Sequence, residues 1–520
     1  MDSRFCRALL AAAVAALALA PAGAGAPADL DRGFNDDGKV IMAQLGAAVS
    51  LVGMPDGTLV GALNVGLRNG PSSSALFRLT SDGHLDASFG RSGFASFSDA
   101  TSSGAPTVTE VVREPGGSLV ALGGAPVRPR LALVRYLPDG TVDGSFGTGG
   151  RVETNALAPV DLAHTPGGGL VVAGEACAGS GEPRSCSLAL MKLRANGTLD
   201  RAFGRSGFAL LPFTNAPGAV SLAVYPDGRI AAVGAAPGGI ALVRFRPDGT
   251  LDGTFGTGGV APSRAPGLGA VGPRGLIVHR HGRLVVLARH PVTGDAWVLR
   301  YRGDGRLDRG FGVRGGARVV GVAPTALAQQ GDGKLVIAGY GDLGTAFGVA
   351  RLRANGGRDR TFGVRGVVLT DLDPGDNVEQ RPFAVAVGPA PHITVAGGVG
   401  FPDYAPALVR YRGGPHGAAA ARHPRYVIRV SHSRAAGGTG AFHRGDVMNV
   451  LLSDRQRRTA HYELCWTPAP VGRPACTQHH TVGAFAVSGV LPRAGTTKLR
   501  FRIEGTGQVL IRTVRVRRAR

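Results

Sequence analysis

The sequence predicts an all-β protein: a seven-bladed β-propeller closed by its N-terminal strand, followed by a small β-sandwich. Three observations carry this prediction. A signature close to Leu-Asp-x-x-Phe-Gly-x-x-Gly returns seven times, with phenylalanines at Phe34, Phe89, Phe146, Phe203, Phe255, Phe311 and Phe362, at intervals of 51 to 57 residues. A fixed period of that length marks one supersecondary unit repeated. Each period reads as about four short strands joined by turns, and 83 Gly with 34 Pro leave no room for long helices. Finally, the ends of the array complete one another: Leu30 to Phe34 has no strand before it, while Ala407-Leu408-Val409-Arg410-Tyr411 has no Leu-Asp-x-x-Phe after it.

The chain begins with Arg4 and Arg7, an apolar run from Ala8 to Ala20, and small residues around Ala24 and Ala28. That is the plan of a secretory signal peptide over residues 1–28, too short for a membrane span. Cys6 precedes the apolar run, which excludes a lipobox cysteine. No later segment approaches 18 continuous apolar residues, so the mature chain is expected to lack a membrane span and to be secreted, either extracellular or associated with the cell envelope.

Within residues 29–413 each period holds an apolar run entered through a turn, such as Pro55-Asp56-Gly57-Thr58-Leu59-Val60, and then a short strand that carries a cation. Asp-Gly and Asn-Gly pairs at Asp82, Asn196, Asp248 and Asn355 are expected to supply the positive-φ residues of tight hairpin turns. The cations are Arg78, Arg135, Lys192, Arg244, Arg300, Arg351 and Arg410. The first six stand eight residues before Asp86, Asp143, Asp200, Asp252, Asp308 and Asp359; Arg410 has no such aspartate and Asp31 no such cation. If each blade uses one of each, Arg410 and Asp31 meet where the ring closes. The first reading is a structural tie, in which the Asp accepts backbone N–H bonds in its turn and the cation compensates it. The second is a ring of cations around the channel that captures an anion. The phenylalanines read as plugs between blades.

The repeat resembles the delta-60 repeat family of bacterial, usually secreted, β-propeller-like proteins. The resemblance covers about three quarters of the chain and rests on the seven copies of the signature; Asn35 departs from it, where Gly is usual. It implies the fold and an extracellular location, and brings no catalytic residues with it.

Four cysteines remain after Cys6, in two local pairs, Cys177 with Cys186 and Cys465 with Cys476. An even count in an exported chain favours two disulfides. A zinc site from Cys465, Cys476, His479 and His480 is the alternative, but the spacing lacks Cys-x-x-Cys arms. The acidic loop of Asp371, Asp373, Asp376 and Glu379 reads first as solvated and second as a calcium candidate; Gly375 and Pro374 rule out an EF-hand loop.

Residues 414–424 form a Gly- and Ala-rich linker, after which the signature does not return. Residues 425–520 hold alternating strands over Tyr426 to Val430, Val447 to Leu452, His461 to Trp466, Phe485 to Val490, Lys498 to Ile503 and Val509 to Val516. So many short strands in about 100 residues read as an immunoglobulin-like sandwich.

The formal net charge is +22, nearly all of it arginine. Such a charge can hold a protein to an anionic envelope polymer. Nucleic acid is excluded as a partner, because only 6% of residues are aromatic, too few for base-stacking platforms. Outside the repeat, Glu110, Asp161, His164, Glu175, Glu182, His279, His290 and Trp297 form no recognisable catalytic set, and Asp161 and His164 would face opposite sides of a sheet. Acyl-transfer elbows, zinc helices and P-loops are absent, and no cofactor is expected. The sequence therefore favours a monomeric, non-catalytic scaffold or binding module for an extracellular protein or glycan. Its alternatives are a polysaccharide hydrolase or lyase on the propeller face, and an envelope protein held by charge.

Overall fold

A computed structural model describes residues 29–414 except 45, 66–72, 98–106, 125–130, 179–184, 215–220, 237–238, 264–271, 342–343, 374–377, 389–391 and 401–403. For residues 176–178, 185–188, 211–214, 236 and 262–263, and for strands between 426 and 517, it describes the backbone alone. Residues 1–28, and with them the expected signal peptide, lie outside the described residues, as does most of the expected linker.

Seven four-stranded antiparallel sheets make a seven-bladed propeller. The first strands of blades 1 to 7 are Ala47–Gly53, Thr107–Arg113, Ala158–His164, Ser221–Val224, Gly272–His279, Ala323–Gln329 and Gln380–Val387. They touch in succession, the first meeting the last, and so line the central channel. Helix among the described residues is confined to short 3₁₀ turns such as Arg280–Gly282. The second and third strands, such as Leu59–Val65 and Gly239–Phe245, are buried nearly throughout because a neighbouring blade covers each face. That explains their continuous apolar runs. Core clusters lie between blades: Val60 and Phe97 pack with Val111 and Leu119, and Leu51 and Leu63 of blade 1 pack with Ala384 and Leu408 of blade 7. In the seventh sheet the outermost strand comes from the start of the chain, with Lys39–Ile41 paired antiparallel to Ala405–Arg412.

In the Asp-Gly and Asn-Gly turns only the glycine takes positive φ, for example 96° at Gly83 and 84° at Gly356. The preceding residue stays out of that region and caps the turn instead, as Asp139 does when its Oδ1 accepts from Thr141 N at 2.9 Å. The backbone closes this turn, Gly140 N–H donating to Leu137 O at 2.9 Å, and the Asx bond braces it.

The C-terminal strands form a three-stranded sheet ordered Tyr426–Ser433, Val447–Asp454, Ala484–Val490 and a five-stranded sheet ordered Phe442–His443, Gln508–Arg517, Gly495–Ile503, Thr459–Thr467, Ala475–Val482. The short strand Phe442–His443 and the strand Ala475–Val482 were not anticipated from the sequence. The latter alternates little, and its two histidines hide its period.

Candidate functional site

The repeated cation is the most regular polar feature, and its surroundings are nearly the same in all seven blades. Arg78, Arg135, Arg244, Arg300, Arg351 and Arg410 donate from Nε to Asp86, Asp143, Asp252, Asp308, Asp359 and Asp31 at 2.7–2.9 Å. Lys192 stands 3.3 Å from Asp200. The pair between Arg410 and Asp31 joins residues 379 positions apart. A terminal nitrogen of each cation continues to a backbone carbonyl in the next blade: Pro138, Ala195, Pro247, Gly303, Ala354, Gly413 and, from Arg410, Ser81. Each cation also lies over the phenylalanine of its own signature, 4.2–5.4 Å from the ring centre. One side chain therefore joins its blade's turn, its ring and the next blade.

The phenylalanines are fully buried or nearly so. Their rings press on the turn glycine of the following blade: a Cβ at Gly140 would come within 2.9 Å of Phe89 and 2.8 Å of the Gly90 nitrogen. The Gly90 N–H donates to Asp139 O at 2.7 Å, and the bond recurs around the ring. Asn35 fits this scheme. It donates to Asp82 O and holds φ at 48°, beside 54° at Gly90 and 58° at Gly147, a conformation Asn tolerates better than most residues. Burial pushes the Asp31 carboxyl up; the charges of Arg410 and His392 and the Gly33 N–H outweigh it and hold the group below its ordinary value.

The channel wall holds a contact that sequence reasoning missed. Four successive inner strands place a polar side chain just after a bulge or at the strand start, and each accepts a backbone N–H from the next blade: Ser50 from Val111 (3.1 Å), Glu110 from Leu162 (2.7 Å), Asp161 from Leu222 (2.7 Å) and Ser221 from Leu276 (3.1 Å). Blades 2 and 3 use carboxyl groups, and these hydrogen-bond to each other. Burial first, then the Asp161 charge and hydrogen bond, push Glu110 well above the usual carboxylate range. Burial also raises Asp161, against the bonds it accepts. Two touching carboxyls do not readily both ionise, so the pair titrates as one unit that keeps a shared proton above the ordinary carboxylate range. Aligning the blades on their bulges, at Ala48/Ser50, Val108/Glu110 and Pro159/Asp161, would have revealed it.

The other candidates are dispersed. His279 Nε2 lies 3.2 Å from Gly333 O, joining blade 5 to blade 6, and burial lowers its pKa, as it does that of His164. His290 Nδ1 accepts turn N–H groups of Val292 and Thr293. Glu175 lies in the strand Leu170–Ala178, and Glu182 outside the described residues. Trp297 lines an open cavity between blades 5 and 6. In the proposed calcium loop, Asp371 accepts from Gln380 Nε2 and Asp373 N, and Glu379 pairs with Arg381. Asp376 lies outside the described residues, and no cluster of three metal-ligating side chains occurs among those described. Backbone register sets Cys177 opposite Cys186 and Cys465 opposite Cys476. Among the described residues no helix is long and apolar enough to cross a membrane.

No curated protein matches the sequence. Among solved structures, prolyl oligopeptidase B from Galerina marginata is similar at 10% identity and TM-score 0.42, over 80% of this chain and 56% of that one, so the chain spans about half of that enzyme's length. The polysaccharide lyase Uly1 is similar at 12% identity and TM-score 0.43, over 72% and 91% of the two chains. The soluble aldose sugar dehydrogenase from Escherichia coli is similar at 12% identity and TM-score 0.33, over 72% and 99%. A family model described as a domain of unknown function (DUF5122) beta-propeller matches residues 55–89, 120–146, 226–255 and 330–362, each match ending on a signature phenylalanine.

Proposed function

We propose that the protein is a secreted, non-catalytic propeller scaffold that binds an extracellular protein or glycan. The observation that carries this reading is the engagement of the repeat's polar groups: each of the seven cations is paired, stacked on a ring and bonded to the next blade. A residue so committed holds the ring together, and recognition falls to positions where one blade departs from the others.

Residues 1–28 are the signal peptide, 29–413 a ring of delta-60 type closed by the N-terminal strand, 414–424 a linker, and 425–520 an immunoglobulin-like sandwich that spaces the ring or touches the envelope. The pairing of Lys39–Ile41 with Ala405–Arg412 supports closure, and the division of the C-terminal strands into two sheets suits a sandwich. Disulfides between Cys177 and Cys186 and between Cys465 and Cys476 are supported by their cross-strand register.

The Glu110–Asp161 contact favours a second reading, a polysaccharide hydrolase or lyase working in the channel. Its geometry tells against this. Glycosidase carboxyls stand about 5 Å apart or more, whereas these touch, and three of their four oxygens accept backbone N–H groups. The test is binding of the purified chain to an array of glycans and envelope polymers at low and high salt. Salt-resistant retention of one glycan, without cleavage, supports the scaffold; cleavage of a retained polysaccharide would replace it with the enzyme. Broad binding that salt abolishes would leave only the charge.

A further inference from the structure

Blade 5 breaks the repeat at two touching positions. Three residues before the cation, the other blades carry Ala75, Ala132, Ala189, Ala241, Gly348 and Ala407, and blade 5 carries Trp297. Opposite Leu299 on the outer strand it carries Gly316, where the others have Phe94, Arg151, Phe208, Val260, Val367 and Lys39. A Cβ at Gly316 would meet Trp297 Cζ3 at 3.4 Å and Leu299 at 3.2 Å. The large-for-small change is thus matched by a small-for-large change beside it. The result is an open cavity of about 710 Å³, with the half-buried indole in its wall.

The chemistry of the wall suits a saccharide. Gly310, Gly312 and Gly357 keep that wall free of side chains, with Gly316 and Gly356 buried beneath it, and an indole offers a flat apolar face for the C–H side of a pyranose. Arg314 and Arg318 stand at the rim with Asn355. Arg318 is neutralised by Asp295 at 2.6 Å, while Arg314 is exposed and has no ion pair among the described residues. The volume falls within the ~300–1,000 Å³ of small-ligand sites. Resting on the binding-scaffold reading, we propose that this groove between blades 5 and 6 binds a short acidic glycan, with Trp297 under a sugar ring and Arg314 on a carboxylate.

The test is calorimetric titration of the full chain at physiological salt with trigalacturonate, with cellotriose as the neutral control and a proline-rich peptide as the protein control. Two variants borrow residues that other blades already tolerate. Trp297→Ala with Gly316→Val reproduces Ala241 and Val260 of blade 4, and Arg314→Gly reproduces Gly149 and Gly258. The expected result is binding of trigalacturonate that weakens about tenfold or more in the double variant, with an unchanged unfolding temperature. Arg314→Gly should weaken trigalacturonate more than cellotriose. Equal affinity in the wild type and double variant would overturn the site while leaving a binding scaffold intact. Binding of the peptide alone, or of no saccharide, would overturn the ligand class; failure on the whole array would remove the scaffold reading itself.

Discussion

At Arg351 and Asp359 two charges are almost wholly out of water, at 1% and 4% side-chain exposure, whereas Lys192 and Asp200 retain 22% and 18%. Breaking a buried pair leaves one charge uncompensated. Arg351→Gln is therefore expected to cost about 3–5 kcal/mol in denaturant unfolding. Lys192→Gln should cost on the order of 1 kcal/mol, and equal losses would refute the ranking by burial. Glu110 behaves differently, since its folded-state pKa is raised by burial and by Asp161. The folded state then binds more protons than the unfolded one, so this contribution to stability is complete below the ordinary carboxylate value and is lost as pH climbs towards Glu110's raised value. Glu110→Gln keeps a neutral partner for Asp161 and the Leu162 N–H. Its unfolding temperature should exceed the wild type's at pH 8 and approach it near pH 4; a difference independent of pH would remove the shared proton.

The turn between strands is the element that meets the neighbouring blade, and its glycine is required twice over. Gly140 holds φ at 86° and leaves no room for a Cβ beside Phe89. Gly140→Ala should lower stability by more than about 1 kcal/mol, while alanine at Gly116, whose Cβ would meet nothing within 4 Å, should be nearly neutral in the same thermal assay. These turns were legible in the sequence because Asp, Asn and Gly have strong local preferences. The Asx geometry was not, because a dipeptide does not say which residue carries the positive φ. The Glu110–Asp161 contact was hidden for another reason: it joins residues on separate blades through a bulge, a feature that strand periodicity does not mark.

Across the whole molecule, the period of the signature made the blade count readable, and the unmatched Asp31 and Arg410 pointed to each other, a pair that hydrogen-bonds at 2.8 Å. The ligand groove was not readable, because Trp297 acquires meaning only beside Gly316, and that neighbour follows from sheet register. Removing residues 29–41 would take the outer strand and Asp31 from blade 7 and bare the edge of Ala405–Arg412. The shortened chain is expected to unfold at lower temperature and to self-associate on sedimentation, since open edges pair. The ring of cations is structural on this reading, and recognition lies elsewhere. Arg351→Gln, measured side by side for thermal unfolding and for retention on the glycan array, separates the two roles. The expected result is a large loss of stability with salt-resistant binding unchanged below the transition; unchanged stability with lost binding would show that the cations are the binding site.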